Sequence, residues 1–425
     1  MERFGSKKET INICIDLKSF YASVECVERG LDSMTTRLVV ADPSRGRGAI
    51  CLAVSPALKQ LGVKNRCRMY EIPSNIDFIT AKPRMRLYME YSARIYDIYL
   101  KYISKDDVHV YSVDECFIDI TPYLSLYEKT PREMAQMLLD VVYFETGIRA
   151  TVGIGTNLFL AKVALDITAK KAPDFIGYLD EELFREKIWH HRPITDVWNI
   201  GHGIAARLER MRVFDLYGIT LIPEDWLYKE FGVNAELIID HAKGIEPCTI
   251  ADIKAYHPRT HSLSNSQILF EDYNFCDAKI ILYEMVDGLV LDLVDQQLVT
   301  NSLSLFVQYS KDITRPTGAT RKLKEYTNSA KKIQAYYGSL YDETTLRFFP
   351  IRRISIGFGG LIDEVHETID FFTDIDALER ERSLQRAMIA IRRRYGRNAV
   401  LKGISYFEKG TALQRNRMVG GHNAE

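Results

Sequence analysis

The hydrophobic pattern changes period several times along the chain. INICIDL at 11–17 is an apolar-rich run with Asn12, Cys14 and Asp16 at alternate positions, which predicts a strand buried on at least one face and ending at Asp16. Residues 18–30 (KSFYASVECVERG) follow a helical pattern with Gly30 as the stop. Leu38–Val40 predicts a short strand, followed by the turn-rich DPSRGRG. SPALKQL at 55–61 then predicts a helix with a Ser cap, Pro in its first turn and Gly62 at its end. Residues 85–103 read as a longer helix rich in Tyr and Arg. Val108–Tyr111 and Cys116–Ile120 are β-rich and flank Ser112-Val113-Asp114-Glu115, a hairpin-like unit. Residues 132–147 predict a helix, Ala150–Gly155 a strand and 157–170 a helix. This order describes a sheet with antiparallel pairs backed by helices, an α+β layer rather than a doubly wound sheet.

After Gly177 the pattern shifts to short helices with Trp189, Trp198 and Trp226. Two short helices within 194–219, around Gly201-His202-Gly203, have the form of a helix-hairpin-helix, which can hold a phosphate backbone on main-chain N–H groups. A linker is expected near 243–260. From Ser262 the strands SLSNSQILF, NSLSLFVQYS and RRISIGFGG alternate with helices at 275–296 and near 327–340, describing a second, smaller α+β domain.

Composition narrows the class. At 425 residues, two to four domains are expected, and 46% apolar with 27% charged residues excludes disorder as the main state. No window approaches 18 uninterrupted apolar residues, and MERFGSKKET lacks an apolar core, so neither a membrane span nor a cleaved leader is expected. Seven scattered cysteines without a CxxC pair favour reduced thiols in the cytoplasm. His257 and His261 have i, i+4 spacing, but Pro258 interrupts any helix there and no Cys partner is near, which argues against zinc. The net charge of −1 hides an asymmetry: residues 301–425 hold 21 Lys and Arg against 14 Asp and Glu, while residues 1–300 hold 35 against 43. An acidic front and a basic rear suit metal chemistry in one part and a polyanion held by the other.

Three carboxylates stand out: Asp16 at a strand end, and Asp114-Glu115 in the hairpin. A few acids on neighbouring strands suffice to hold two Mg²⁺ ions for an in-line phosphoryl displacement, although an isolated acid is more often a polar turn. The surrounding motifs sharpen the reading. DLKSFYASVE at 16–25, GAICLAVSPALKQLGVK at 48–64, YSVDECFID at 111–119, VGIGTNLFLAKVALDITAKK at 152–171 and WNIGHGIAARL at 198–208 together resemble the Y-family translesion DNA polymerases, in the family's order and spacing. The resemblance covers about residues 10–375 and is closest to the UmuC-like branch of Gram-positive bacteria.

It implies an α+β multidomain fold. The palm would be 1–25 with 78–177, small fingers 26–77, and a helical thumb with a helix-hairpin-helix 178–245. An α+β little finger would follow at 255–365, with a basic tail at 366–425. Asp16 and Asp114 are implied as ligands of both metals, with the Leu17 carbonyl contributing and Glu115 serving the ion that activates the primer 3′-hydroxyl. Mg²⁺ is the implied ion, with Mn²⁺ as substitute. Tyr21 is implied as the steric gate against ribonucleotides, with Phe20 packing beside it. Ser55, Lys59 and Lys170 (or Lys171) would hold the triphosphate, although helix 157–171 carries one residue more before its lysines than the family pattern.

Gly201 and Gly203 would contact DNA in the thumb, as would Arg352 and Arg353, with Lys311 and Arg315, in the little finger. TIDFF at 368–372 stands where relatives carry a sliding-clamp peptide, making Ile369, Phe371 and Phe372 the clamp contacts. The implied activity is template-directed, low-fidelity DNA synthesis past damaged bases within the DNA-damage (SOS) response. Its partners would be primer-template DNA, deoxynucleoside triphosphates, the sliding clamp and accessory damage-response proteins, without a membrane. Two alternatives stay open: another palm-type two-metal nucleotidyl transferase or cyclase, and a non-catalytic DNA-binding accessory subunit.

Overall fold

The computed structural model describes residues 10–258, 261–311, 313–369, 371 and 373–424. The chain forms two compact units. One runs through Tyr256 and takes in the last residues from Asn423; the other is His257–His422.

The first unit opens with β1 (Asn12–Leu17) and α1 (Phe20–Val27). A small lobe follows, made of β2 (Leu38–Val40), β3 (Ala53–Val54), α2 (Pro56–Gln60) and β4 (Ile79–Ala81). The chain returns through α3 (Met85–Leu100), β5 (Val108–Val110), β6 (Glu115–Asp119), α4 (Thr121–Leu126) and α5 (Pro131–Thr146). Then come β7 (Ala150–Gly155), α6 (Leu158–Val163) and β8 (Ile176–Leu179). The strands assemble in the order β5-β6-β1-β7-β8, so β1, first in sequence, lies at the centre.

Strand periodicity sorts its side chains. Ile13, Ile15 and Leu17 enter a core with residues of α3 and α5, whereas Cys14 on the opposite face packs with Phe117, Leu158 and Ala161. The helices after β8, among them α7 (Glu181–Lys187), α8 (His202–Arg210), α9 (Leu216–Thr220), α10 (Glu224–Phe231) and α11 (Asn234–Ala242), share a separate core with α6. The stretch expected as a plain linker, 243–260, instead carries α12 (Ile250–Ala255), capped by Thr249. Ile250 anchors it against Cys14 and Phe117, so this segment is tied to the first unit by apolar burial.

The second unit contains β9 (Leu263–Tyr273), α13 (Phe275–Asp295), β10 (Leu298–Tyr309), β11 (Thr317–Thr327), α14 (Ala330–Thr344) and β12 (Ile351–Gly359). The antiparallel sheet β11-β10-β12-β9 buries Leu303, Leu305 and Ile354 with side chains of α13 and α14. Beyond it the basic tail folds back as α15 (Ile375–Tyr395), whose Leu378 and Gln385 are buried and whose Arg393 pairs with Asp295 of α13.

Candidate active site

Register brings the three acids together. Asp16 stands opposite Glu115 on β6 and opposite Thr151 on β7, and the Leu17 amide donates to the Asp114 carbonyl at 2.9 Å. Directly paired residues lie about 5 Å apart at Cα, so carboxylates from distant parts of the chain share one end of the sheet. The Ser112 hydroxyl donates to Asp114 Oδ1 at 2.8 Å and accepts from the Asp114 and Glu115 amides at 3.3 and 3.0 Å. That one side chain closes the turn and aims Asp114.

The electrostatics are those of crowded anions. Burial raises Asp16 to about 7, a rise opposed by Lys170 and reinforced by Glu115 and Asp114. Burial also raises Asp114, which the Ser112 hydrogen bond lowers and Glu115 pushes up again. Cations ring the acids. Burial lowers Lys59, against the pull of Asp16 and with the push of Lys170; burial and Lys59 likewise lower Lys18. Burial works against the charge on Lys170, but Asp166 and Asp16 outweigh it and raise that lysine. Among the described residues no three His, Cys, Asp or Glu side chains stand as a preformed metal cage. Glu115 is turned to Lys162, whose Nζ lies 2.6 Å from Oε1. The donors nonetheless suit a hard divalent ion: carboxylate oxygens, close together, with more negative charge than the site holds comfortably.

The closeness of α6 to the sheet comes from glycine. A Cβ on Gly153 would lie 2.1 Å from the Ala161 carbonyl oxygen, one on Gly155 2.2 Å from the Ala161 nitrogen, and one on Gly177 2.1 Å from Thr168 Oγ1. Gly153 and Gly177 are paired across β7 and β8, so the bare positions form a trough that seats the helix. After Val163 the helix widens into a π turn, Ala164–Thr168, and tightens into a 3₁₀ turn, Ala169–Lys171. A π turn absorbs one surplus residue. Beyond that turn Lys170 is still within electrostatic reach of Asp166 and Asp16.

Tyr21 lies in the first turn of α1, near enough to Asp114 for that carboxylate, after burial, to raise its hydroxyl pKa. Its ring stacks on Tyr88 with centroids 4.5 Å apart. The Tyr88 hydroxyl donates to Glu25 Oε1 at 2.7 Å, and Arg84 holds Oε2 of the same fully buried carboxylate at 2.8 Å. The platform beneath Tyr21 is thus rigid. Phe20 is buried in the core.

The remaining expected residues divide. Ser55 is 0% exposed and its Oγ accepts from the Leu38 amide at 3.0 Å, clipping β2 to the start of α2. Lys171 is exposed. Gly201 caps α8 and Gly203 lies in its first turn, both exposed with open space where a Cβ would sit. In the second unit a bulge separates Ile351 from Arg353. Ile351 and Ile354 are both fully buried, so Arg352 and Arg353 both stay outside the core. Arg353 Nε donates to Ser266 Oγ at 2.8 Å and Arg352 lies 3.5 Å from Asp272. Lys311 and Arg315 are exposed. Ile369 is exposed and Phe371 is 104% exposed; Phe372 lies outside the described residues.

Sequence reasoning missed Lys18, Lys162 and the Tyr88–Glu25–Arg84 support. For Lys162 the available signal was the alternation of glycines in ATVGIG, which marks a close backbone approach.

The impB/mucB/samB family model matches residues 15–166, and the model of that family's C-terminal domain matches 260–371. A Bacillus subtilis (strain 168) protein named for UV-damage repair, UvrX, is 32% identical over 97% of both chains. DNA polymerase IV 2 of the same strain is 30% identical over 98% of this chain and 99% of its own. Among solved structures, a Y-family DNA polymerase chimera of Dbh and Dpo4 shares the fold, with a TM-score of 0.64 and 20% identity over 83% of this chain and 99% of that one. The chain therefore belongs to the impB/mucB/samB family and is a Y-family DNA polymerase.

Proposed function

We propose that this polymerase copies DNA templates past damaged bases, with Asp16, Asp114 and Glu115 as its catalytic acids. The observation that carries the reading is the register: Asp16 opposite Glu115, with Asp114 bonded through its carbonyl to the next residue of β1. Family membership implies a divalent metal. Two Mg²⁺ ions, or Mn²⁺ in their place, would be held by Asp16 and Asp114 with the Leu17 carbonyl and Glu115. When bound they supply charge neutralisation and activation of the primer hydroxyl.

The chain's own groups do the rest. Lys59 and Lys170, with Lys18 beside them, offer positive charge where the triphosphate would lie. The Tyr21 ring, held from behind by Tyr88, bars a 2′-hydroxyl. Exposed main chain at Gly201 and Gly203 takes the phosphate backbone, and Arg352 and Arg353 add sequence-independent affinity. The exposed Ile369 and Phe371 suit a sliding-clamp contact. Among the described residues no helix is long and apolar enough to cross a membrane, which suits work on DNA in the cytoplasm. The small lobe around β2, β3 and β4 has few residues with which to test base-pair shape, which favours bypass over fidelity.

Primer extension on an undamaged and an abasic template, with and without Mg²⁺, tests the reading. Metal-dependent extension opposite and beyond the abasic site is expected. Arrest one base before it overturns the bypass reading, and untemplated product favours a different palm-type nucleotidyl transferase.

A further inference from the structure

Lys162 is a lysine only 5% exposed, in the last turn of α6. Its Nζ lies 2.6 Å from Glu115 Oε1 and 3.1 Å from Asp166 Oδ2. A buried ammonium requires pairing, and Asp166, one turn along the same helix, already supplies a partner. What carries Lys162 onward to Glu115 is the glycine trough: with any side chain at 153 or 155, α6 could not lie against β7. The fold thus gives up side chains at two sheet positions and delivers a fixed positive charge to one oxygen of the acidic cluster. Among the described residues no other lysine forms an ion pair with these three acids; Lys170 bonds Asp166 instead, at 2.7 Å.

We propose that Lys162 is the resident counter-ion of this cluster. It pairs with Glu115 while no divalent ion is bound, fixes that carboxylate's orientation, and competes with divalent ions for it. The nucleotide-free protein accordingly binds such ions weakly, and triphosphate oxygens strengthen the site. Lys162 is a positioning residue acting through Glu115, and the inference rests on the metal-binding reading above.

The test is a Mn²⁺ titration of the full chain without DNA or nucleotide, with free Mn²⁺ followed by electron paramagnetic resonance. Wild type is expected to show a weak site that Asp16→Asn removes; absence of such a site overturns the metal reading itself. Given the site, Lys162→Met is expected to tighten Mn²⁺ binding about tenfold by removing a nearby like charge, and Lys162→Arg to return it to within about twofold of wild type. Unchanged or weaker binding in Lys162→Met overturns the role of Lys162 and leaves the metal reading standing. If Lys162→Met folds poorly, Asp166→Asn poses the question with opposite sign. Lys162 then pairs with Glu115 alone and Mn²⁺ binding weakens about threefold; no change, or tightening, overturns the proposal.

Discussion

Replacing Asp16 by Asn should stabilise the protein while destroying its activity. Asp16 is raised from 3.8 to about 7, first by burial and then, against Lys170, by Glu115 and Asp114. A group whose acid is favoured on folding penalises the folded state once it ionises. The penalty is absent below about pH 4, grows through the interval between the two values and is complete above about 7. Three units correspond to ~4 kcal/mol at full ionisation, and ~2–4 kcal/mol is the working range once local relaxation is allowed. For a unit of this size ~1 kcal/mol moves Tm by about 2–4 °C, so Asp16→Asn should melt several degrees above wild type at pH 8. At pH 5 only about 40% of the ionisation penalty has accrued, so the increment should fall by more than half. Thermal unfolding in EDTA at both pH values is the assay. Saturating Mg²⁺ should raise the wild-type midpoint at pH 8 and leave that of the variant nearly unmoved. An increment that is absent, or equal at pH 5 and pH 8, would refute the claim that crowded charge at Asp16 is what a cation relieves.

Other consequences are as direct. Tyr21→Ala should admit ribonucleotides, raising their incorporation relative to deoxynucleotides by at least about tenfold, a loss of ~1.4 kcal/mol of discrimination; an unchanged ratio in single-nucleotide extension removes Tyr21 from the gate. Gly153→Ala puts a Cβ 2.1 Å from a helix carbonyl oxygen and should cost ~3 kcal/mol or more, seen as a large fall in Tm or loss of soluble protein. Wild-type stability in that variant would mean that α6 does not lie as close as described. Arg352→Ala and Arg353→Ala should each weaken DNA binding uniformly across sequences and reduce the salt slope by about 1; a sequence-dependent loss would contradict a backbone-only role.

Much of this architecture is written in the hydrophobic pattern. The runs at 11–17 and 150–155 alternate as strands because opposite faces of one sheet meet different helices, and the periodicity alone carries Asp16 to the face it occupies. The hairpin could be read because Ser112-Val113-Asp114-Glu115 interrupts two β-rich runs. Other features depend on partners far away in sequence. Ser55 looks like an N-cap with a free hydroxyl, and only the return of β2 shows that the Leu38 amide claims it. Residues 243–260 lack the apolar content of a buried element, yet Ile250 and a Thr249 capping box suffice for one short helix once Phe117 offers a surface. The π turn before Lys170 has no signature in the hydrophobic pattern; it lies where Gly153 and Gly177 let the helix approach the sheet. Lys162 was hidden for the same reason: one lysine on a helix is ordinarily solvated, and only the depth of the trough buries it.

The central claim is that acids brought together by strand register carry nucleotide transfer. The most direct measurement is single-turnover primer extension by Asp114→Ala, on protein whose folding and primer-template affinity match wild type. Loss of extension by at least about a thousandfold, ~4 kcal/mol of transition-state stabilisation, is the predicted result; extension at the wild-type rate contradicts it.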